Sequence, residues 1–203
     1  MDSTDVADTG PVPLRERRRR ETTDQIVDVA RRLFAEHGYT ATRTNEIAGE
    51  AGVSDATLFR YFDSKAAIAL HGVSERITLA LELLAAQPAH LDPLSATRAA
   101  FAEALARDLF GLDDPVVAEV RLVIRTPELW PEFDARINKA AQRLTAVLAE
   151  RARHREPTLG DRVAAHAIVG AIQAAVGMWF EDPTLAPLPD LLAQAFAELD
   201  PMS

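Results

Sequence analysis

Apolar residues recur at three- and four-residue steps along most of this chain, and alternation in twos is absent. That period marks helices with one buried face, so the spacing predicts an all-α protein. Alanine and leucine are abundant and aromatic residues make up only 6%, a balance that favours helix over sheet. With 203 residues the chain can hold one large or two small domains and bury a substantial core.

Proline and glycine punctuate the pattern. Residues 1–13 lack an apolar period and contain Pro11 and Pro13, which predicts a disordered tail. A first helix is expected from Thr22, capped by Thr22 or Thr23, running through Ile26, Val29, Ala30, Leu33 and Phe34 to Gly38. Two short helices follow, near 44–51 and 55–61, on either side of "GVS". A long fourth helix is expected from Lys65, with Ile68, Val73, Ile77, Leu81 and Leu84 on one face, until "QPAHLDP" stops it. Further helices are expected over 94–110, after "GLDDP", over 128–154, over 160–181 and over 188–199. The total is about nine helices in two parts, 14–65 and 66–203.

Several function classes are disfavoured. There is no cysteine, so disulfides, iron–sulfur clusters and thiol catalysis are excluded. His37, His71, His90, His154 and His166 are scattered, without the spacing of a zinc site. No metal or cofactor is expected. No positioned nucleophile, acid–base pair or Gly-rich phosphate loop is visible, so the chain does not read as an enzyme. "MDSTDVADTGPVP" has neither a basic nor an apolar signal region. No run approaches the ~18 apolar residues of a membrane span. A cytoplasmic protein is expected.

The net charge of −9 is unevenly spread. Residues 1–10 carry three aspartates and no base, and residues 11–71 carry ten Arg/Lys against nine Asp/Glu. Residues 72–203 carry twelve against nineteen. Because salt screens charges beyond ~8–10 Å, the local balance governs partner choice. A nucleic-acid-binding part is therefore compatible with an acidic whole.

Such a part is expected at 44–65. A helix-turn-helix needs a small residue where its helices cross, a glycine at the turn and an apolar plug after it. Ile47 and Ala48, Gly52 and Val53 supply these in order, and Leu58 becomes the inward residue of the second helix. Asp55, Ala56, Thr57, Phe59 and Arg60 then point outward. Ser54 and Thr57 hydroxyls can bond bases or phosphates, and Arg60 can meet a phosphate or fork onto guanine. Lys65 adds charge at the start of the next helix, and Arg43 and Thr44 stand at the start of the first of the pair. The run Arg15, Arg17, Arg18, Arg19, Arg20 is expected to form a flexible arm that neutralises phosphates or enters a minor groove, with Arg17 and Arg18 as its contacts. The opposing reading is a helical hairpin that binds another protein.

The stretch "TTDQIVDVARRLFAEHGYTATRTNEIAGEAGVSDATLFRYFDSKAAI" resembles the N-terminal domain of TetR-type transcriptional regulators over its whole span. The resemblance implies three helices for DNA and six for dimerisation and ligand binding. It assigns Thr44, Ser54, Asp55, Thr57, Phe59, Arg60, Tyr61 and Lys65 to the DNA surface, with Tyr61 and Lys65 on the phosphate backbone. The family usually carries tyrosine where this chain has Phe59, so one hydroxyl is missing. The implied partners are a double-stranded DNA operator, a second copy of the chain and a small-molecule effector. The implied function is a homodimeric repressor released from a palindromic operator, with an activator of the same fold as the alternative.

The remaining two-thirds must dimerise and bind the effector. In "VAAHAIVGAIQAAVGMWF" small residues at helical spacing permit close approach of another helix. A four-helix interface is expected from 160–181 and 188–199 of both chains, through Ala167, Gly170, Ala174, Val176, Trp179 and Leu192. The opposing reading is an ordinary buried helix. "EVRLVIRTPELWPEFDARI" sets Arg121, Arg125 and Arg136 beside Trp130 and Phe133. A pocket is expected from Phe101, Leu105, Arg121, Arg125, Trp130 and Phe133, its arginines holding an anionic head. In the opposing reading these arginines snorkel or pair with Glu119, Glu128 or Asp134. The stretch also resembles the C-terminal domain of regulators linked to mycofactocin clusters, which implies a lipophilic, acyl-thioester effector.

Overall fold

A computed structural model describes residues 13–107, 115–182 and 184–199. Within these the secondary structure is helical, with no strand. Ten α-helices follow one another: α1 Leu14–His37, α2 Thr44–Glu50, α3 Asp55–Tyr61, α4 Lys65–Ala69, α5 His71–Ala86, α6 Pro93–Ala106, α7 Pro115–Arg125, α8 Trp130–Arg151, α9 Leu159–Glu181 and α10 Leu188–Ala197. A 3-10 turn, Pro127–Leu129, leads into α8. Two compact units divide the chain, Met1–Ala69 and Leu70–Ser203. The tail expected over 1–13 lies outside the described residues except for Pro13.

The first unit departs from expectation at its start. α1 begins at Leu14, not Thr22, so the arginine run is helical and not a flexible arm. Pro13 sits just before it with φ −51°, already close to the helical value. Glu16 and Arg20 pair at 2.8 Å across one turn. Thr22 and Thr23, expected as caps, instead donate their hydroxyls to the Arg18 and Arg19 carbonyls at 2.9 Å. This back-bonding lets a threonine sit inside a helix. Ile26, Val27, Ala30, Leu33 and Phe34 form the buried face, and α1 packs on α2 and α4.

The helix expected over 65–86 is broken where the second unit begins. Leu70 (φ −113°, ψ 20°) separates α4 from α5, which raises the count from nine to ten. α5 packs against α6, α7 and α8, and α9 packs between α8 and α10. Leu84, Ala100, Leu144, Leu148, Ala165, Ile168, Trp179 and Phe196 are among the residues that form the core. Arg151 donates to the Gln87 and Pro88 carbonyls at 2.8 Å, closing the C-terminus of α5. Arg98 does the same at Phe196 O, 2.7 Å away. Both use a cation where the helix end is negative.

α9 begins on a reciprocal cap. Asp161 N–H donates to Thr158 Oγ1 at 3.2 Å, while Thr158 N–H and Oγ1 and the His154 ring all lie 2.7–2.9 Å from Asp161 Oδ2. The backbone hydrogen bond from Thr158 and then its hydroxyl hold the Asp161 carboxyl below its ordinary value against the opposing effect of burial, with a lesser contribution from His154. α9 also corrects the expectation that no membrane-length apolar segment exists. Over an 18-residue window its mean hydropathy is 1.6, long and apolar enough to span by length and composition, and 22% of that window is buried.

Candidate nucleic-acid interface and effector cavity

The helix-turn-helix is built by short-range chemistry. Ile47 and Ala48 are buried on α2 and Leu58 is fully buried on α3. Gly52 turns the chain with φ 65°, the left-handed region that side chains resist. Val53 N–H then donates to Ala48 O at 2.9 Å. Ser54 caps α3, its Oγ accepting from Thr57 N–H at 3.2 Å and donating to Thr57 Oγ1 at 3.0 Å. Asp55, Ala56, Phe59 and Arg60 are exposed and Thr57 and Tyr61 half-buried. Phe59, a large apolar ring, is 49% exposed.

Lys65 has partners within its own unit. Its ammonium donates to the carbonyls of Tyr39 and Thr42, at 2.7 and 2.8 Å, and lies 4.2 Å from the Tyr39 ring centroid. Thr42 is buried and donates its hydroxyl to Gly38 O at 2.8 Å. Lys65 thus fastens the turn between α1 and α2 to the start of α4. Arg43 and Thr44 stand where expected, with Arg43 exposed and its N–H donating to Glu46 Oε2 at 3.0 Å.

The helical start of α1 creates a cationic cleft. Leu14, Arg15, Arg18, Arg19 and Thr22 of α1 face Arg60 and Tyr61 of α3 around about 540 Å³. The Arg60 guanidinium lies 5.6 Å from the Tyr61 ring centroid, a cation–π distance that limits its freedom. Arg18 belongs to this cleft and Arg17 does not, and Arg15 and Arg19 join it. A helical period places 15, 18, 19 and 22 on one face, so the helical reading of the run carries this information and the flexible-arm reading loses it.

A second site lies within the other unit. A cavity of about 410 Å³ is walled by apolar side chains of α5–α9, among them Val73, Leu84, Ala100, Phe101, Phe133, Ile168 and Phe180. Trp130 and Ile124 also line it and are 49% and 46% exposed. Arg76 carries the only formal charge among the described residues of the wall, with Thr97 and Gln173 as polar neighbours. Of the expected pocket residues, Phe101, Trp130 and Phe133 are present. Arg121 and Arg125 are not: both are exposed and neither lines the cavity. On α7 the apolar face toward the cavity runs through Val120 and Ile124, which turns 121 and 125 to solvent. The Leu105 side chain lies outside the described residues. Arg136 pairs with Glu132 at 2.9 Å. Arg76 was missed, although a cation three residues after Val73 and one before Ile77 interrupts an apolar stripe and was visible as such.

The expected dimer residues divide. Gly170 and Ala174 are exposed and Ala167 is half-buried, on a face of α9 shared with Leu159 (77% exposed), Val163 (59%) and Met178 (49%). Trp179 and Leu192 are buried in the chain's own core, which corrects their placement, and Val176 lines the cavity. On a helix apolar nearly all round, the sequence does not distinguish inner from outer face.

Comparison with known proteins agrees with this layout. Residues 26–71 match the model of bacterial regulatory proteins of the tetR family, and residues 91–202 match the MftR C-terminal domain. The HTH-type transcriptional regulator TcmR of Streptomyces glaucescens is 37% identical over 162 residues, 74% of this chain and 72% of TcmR. The mycofactocin biosynthesis transcriptional regulator MftR of Mycobacterium tuberculosis is 29% identical over 182 residues, 89% of this chain and 90% of MftR. In fold the chain is similar to SmeT, the repressor of the Stenotrophomonas maltophilia multidrug efflux pump SmeDEF, with TM-score 0.60, 21% identity and 86% of each chain covered. SmeT in complex with triclosan gives TM-score 0.61 at 19% identity, over 88% of this chain and 91% of SmeT. These relatives are regulators and not enzymes. The chain is a member of the TetR family of transcriptional regulators, with a helix-turn-helix in its first unit and a C-terminal domain of the MftR type.

Proposed function

We propose that this regulator is a homodimeric repressor, acting in the cytoplasm, that leaves a palindromic operator when a lipophilic small molecule enters the cavity of its second unit. The observation that carries the proposal is the 410 Å³ apolar cavity with Arg76 in its wall. Such a site suits an apolar body with an anionic or polar end, an acyl chain being one fit. SmeT, similar in fold, is a repressor and has been solved with triclosan.

In this reading Thr57, Phe59 and Arg60 face the major groove, while Arg43, Thr44 and the cleft arginines meet phosphates. One recognition helix reads few bases, so a twofold dimer is needed to read two half-sites about a DNA turn apart. The exposed apolar face of α9, through Val163, Gly170, Ala174 and Met178, supports that pairing.

The test is fluorescence anisotropy with labelled DNA from the region flanking the gene, against random DNA, over a salt series. The expected result is tight, steeply salt-dependent binding to one fragment with two chains per site. Absence of binding even at low salt would favour the protein-binding hairpin and overturn the proposal.

A further inference from the structure

α5 starts at a buried point. Its N-cap, Leu70, is fully buried and has no side-chain oxygen to receive the amides of the first turn. Those amides have no acceptor within the helix either. Glu119 of α7 meets two of them, Oε1 accepting from Gly72 N–H at 3.1 Å and Oε2 from Val73 N–H at 2.9 Å. Glu119 is only 3% exposed, and its carboxylate lies at the positive end of the helix. The residue opposite the carboxylate is Gly72. A Cβ on residue 72 would lie 2.8 Å from Glu119 Oε1 and 3.0 Å from Oε2.

This clamp adjoins the cavity. Val73, whose amide is held, lines the cavity, as do Arg76 and Ile77 of the following turn. On α7 the cavity is lined by Val120, next to Glu119, and by Ile124. A molecule in the cavity therefore presses on both helices that the carboxylate joins. Leu70 is also the first residue of the second unit, so the clamped turn follows directly on the chain leaving the DNA-binding unit.

We infer that Glu119 is the positioning residue of the switch. Its carboxylate holds the start of α5 in the arrangement that binds DNA, and a cavity ligand acts by parting α7 from α5 at this clamp. The inference rests on the effector reading above and names the contact through which that effector works.

Two variants open the clamp by different routes. Glu119→Gln keeps the shape but removes the charge and one acceptor oxygen, and Gly72→Ala drives a Cβ into the carboxylate. The probe is 1-anilinonaphthalene-8-sulfonate, whose rings suit the apolar wall. The readouts on the full chain are hydrogen exchange at the Gly72 and Val73 amides and affinity for the gene-flanking DNA.

Saturating probe is expected to speed exchange at both amides by about tenfold in the wild type, a typical coupling between sites. The effect should be weaker in Ala100→Leu, whose added bulk takes up part of the cavity. Both clamp variants should exchange fast without probe, bind DNA about tenfold more weakly, and show no further release on adding probe.

Bound probe with unchanged exchange at Gly72 and Val73 overturns the inference, whatever happens on DNA. So do clamp variants that exchange fast yet bind and release DNA as the wild type does. Failure of the probe to bind, or an undiminished response in Ala100→Leu, overturns the link between cavity and clamp. A wild type that binds no DNA, but whose two amides respond to the probe, refutes the repressor reading and supports the ligand-sensitive clamp. Should Glu119→Gln not fold, the wild-type exchange and Gly72→Ala still decide.

Discussion

The two units solve opposite packing problems. The first sets three short helices that cannot be stable alone, α2, α3 and α4, against the long α1, so it is fastened by local polar contacts: Ser54 on Thr57, Thr42 on Gly38, Lys65 on two carbonyls. Its core side chains Ile26, Leu33, Ile47 and Leu58 are at most 1% exposed. The second unit is made of long helices that leave about 410 Å³ unfilled among them. A fully packed unit presents one fixed surface, as a groove reader requires. A unit with a void gives up contacts that a ligand can restore.

Substitutions should separate the two units by sign as well as by size. The largest effect is expected in the first unit, where Leu58→Ala removes a fully buried side chain. A loss of about 2–5 kcal/mol in urea unfolding is predicted, together with loss of DNA binding. If the loss is under 1 kcal/mol, the first unit is not tightly packed and the contrast fails.

Gly52→Ala comes next. Nothing lies within 4 Å of the added Cβ, so its cost is conformational alone, about 1–2 kcal/mol for a side chain in the left-handed region. Thermal unfolding checks the value, and a cost near zero would mean that the turn can relax out of that region.

The second unit should respond in the opposite direction. Ala100→Leu extends a buried side chain into the cavity and is predicted to stabilise by about 0.5–2 kcal/mol. A destabilised Ala100→Leu chain would show that the space at that wall is not available to a side chain.

Smallest is a pH-linked effect at the start of α9. The hydrogen bonds from Thr158 and His154 lower the folded-state pKa of Asp161. The stabilisation is therefore present above the unfolded carboxylate value and disappears as pH falls through the still lower folded value. Asp161→Asn should be less stable than wild type at pH 7, and the two chains should converge below pH ~3.8. A gap that persists unchanged in acid would assign the effect to shape and not to charge.

The same contrast explains what was legible in the sequence. Gly52, Val53, Ser54 and Leu58 were readable because each acts on neighbours a few residues away. The start of α1 was misjudged locally, since Thr22 and Thr23 satisfy their hydroxyls inside the helix and not at its end. In the second unit the decisive partners are distant in the chain. Nothing near residue 70 announces that Glu119 will cap α5, or that its carboxylate will lie against Gly72. The arginines near Trp130 suggested a charged pocket, but α7 turns them to solvent and α5 supplies Arg76 instead. Trp179 and Leu192 read as interface because apolar character alone does not say which of two buried surfaces a side chain joins.

The unfilled cavity has a practical meaning in terms of binding linkage. A molecule that binds the folded chain and not the unfolded one adds RT ln(1 + [L]/Kd) to stability, about 2.7 kcal/mol at a hundredfold excess over Kd. In a domain of 150–250 residues each kcal/mol moves the melting midpoint by roughly 2–4 °C. A molecule that fills the cavity should therefore announce itself as a melting shift of several degrees in the purified protein. Compound collections can be sorted that way before any operator is known, and Ala100→Leu, which narrows the same space, is the control that should shift less.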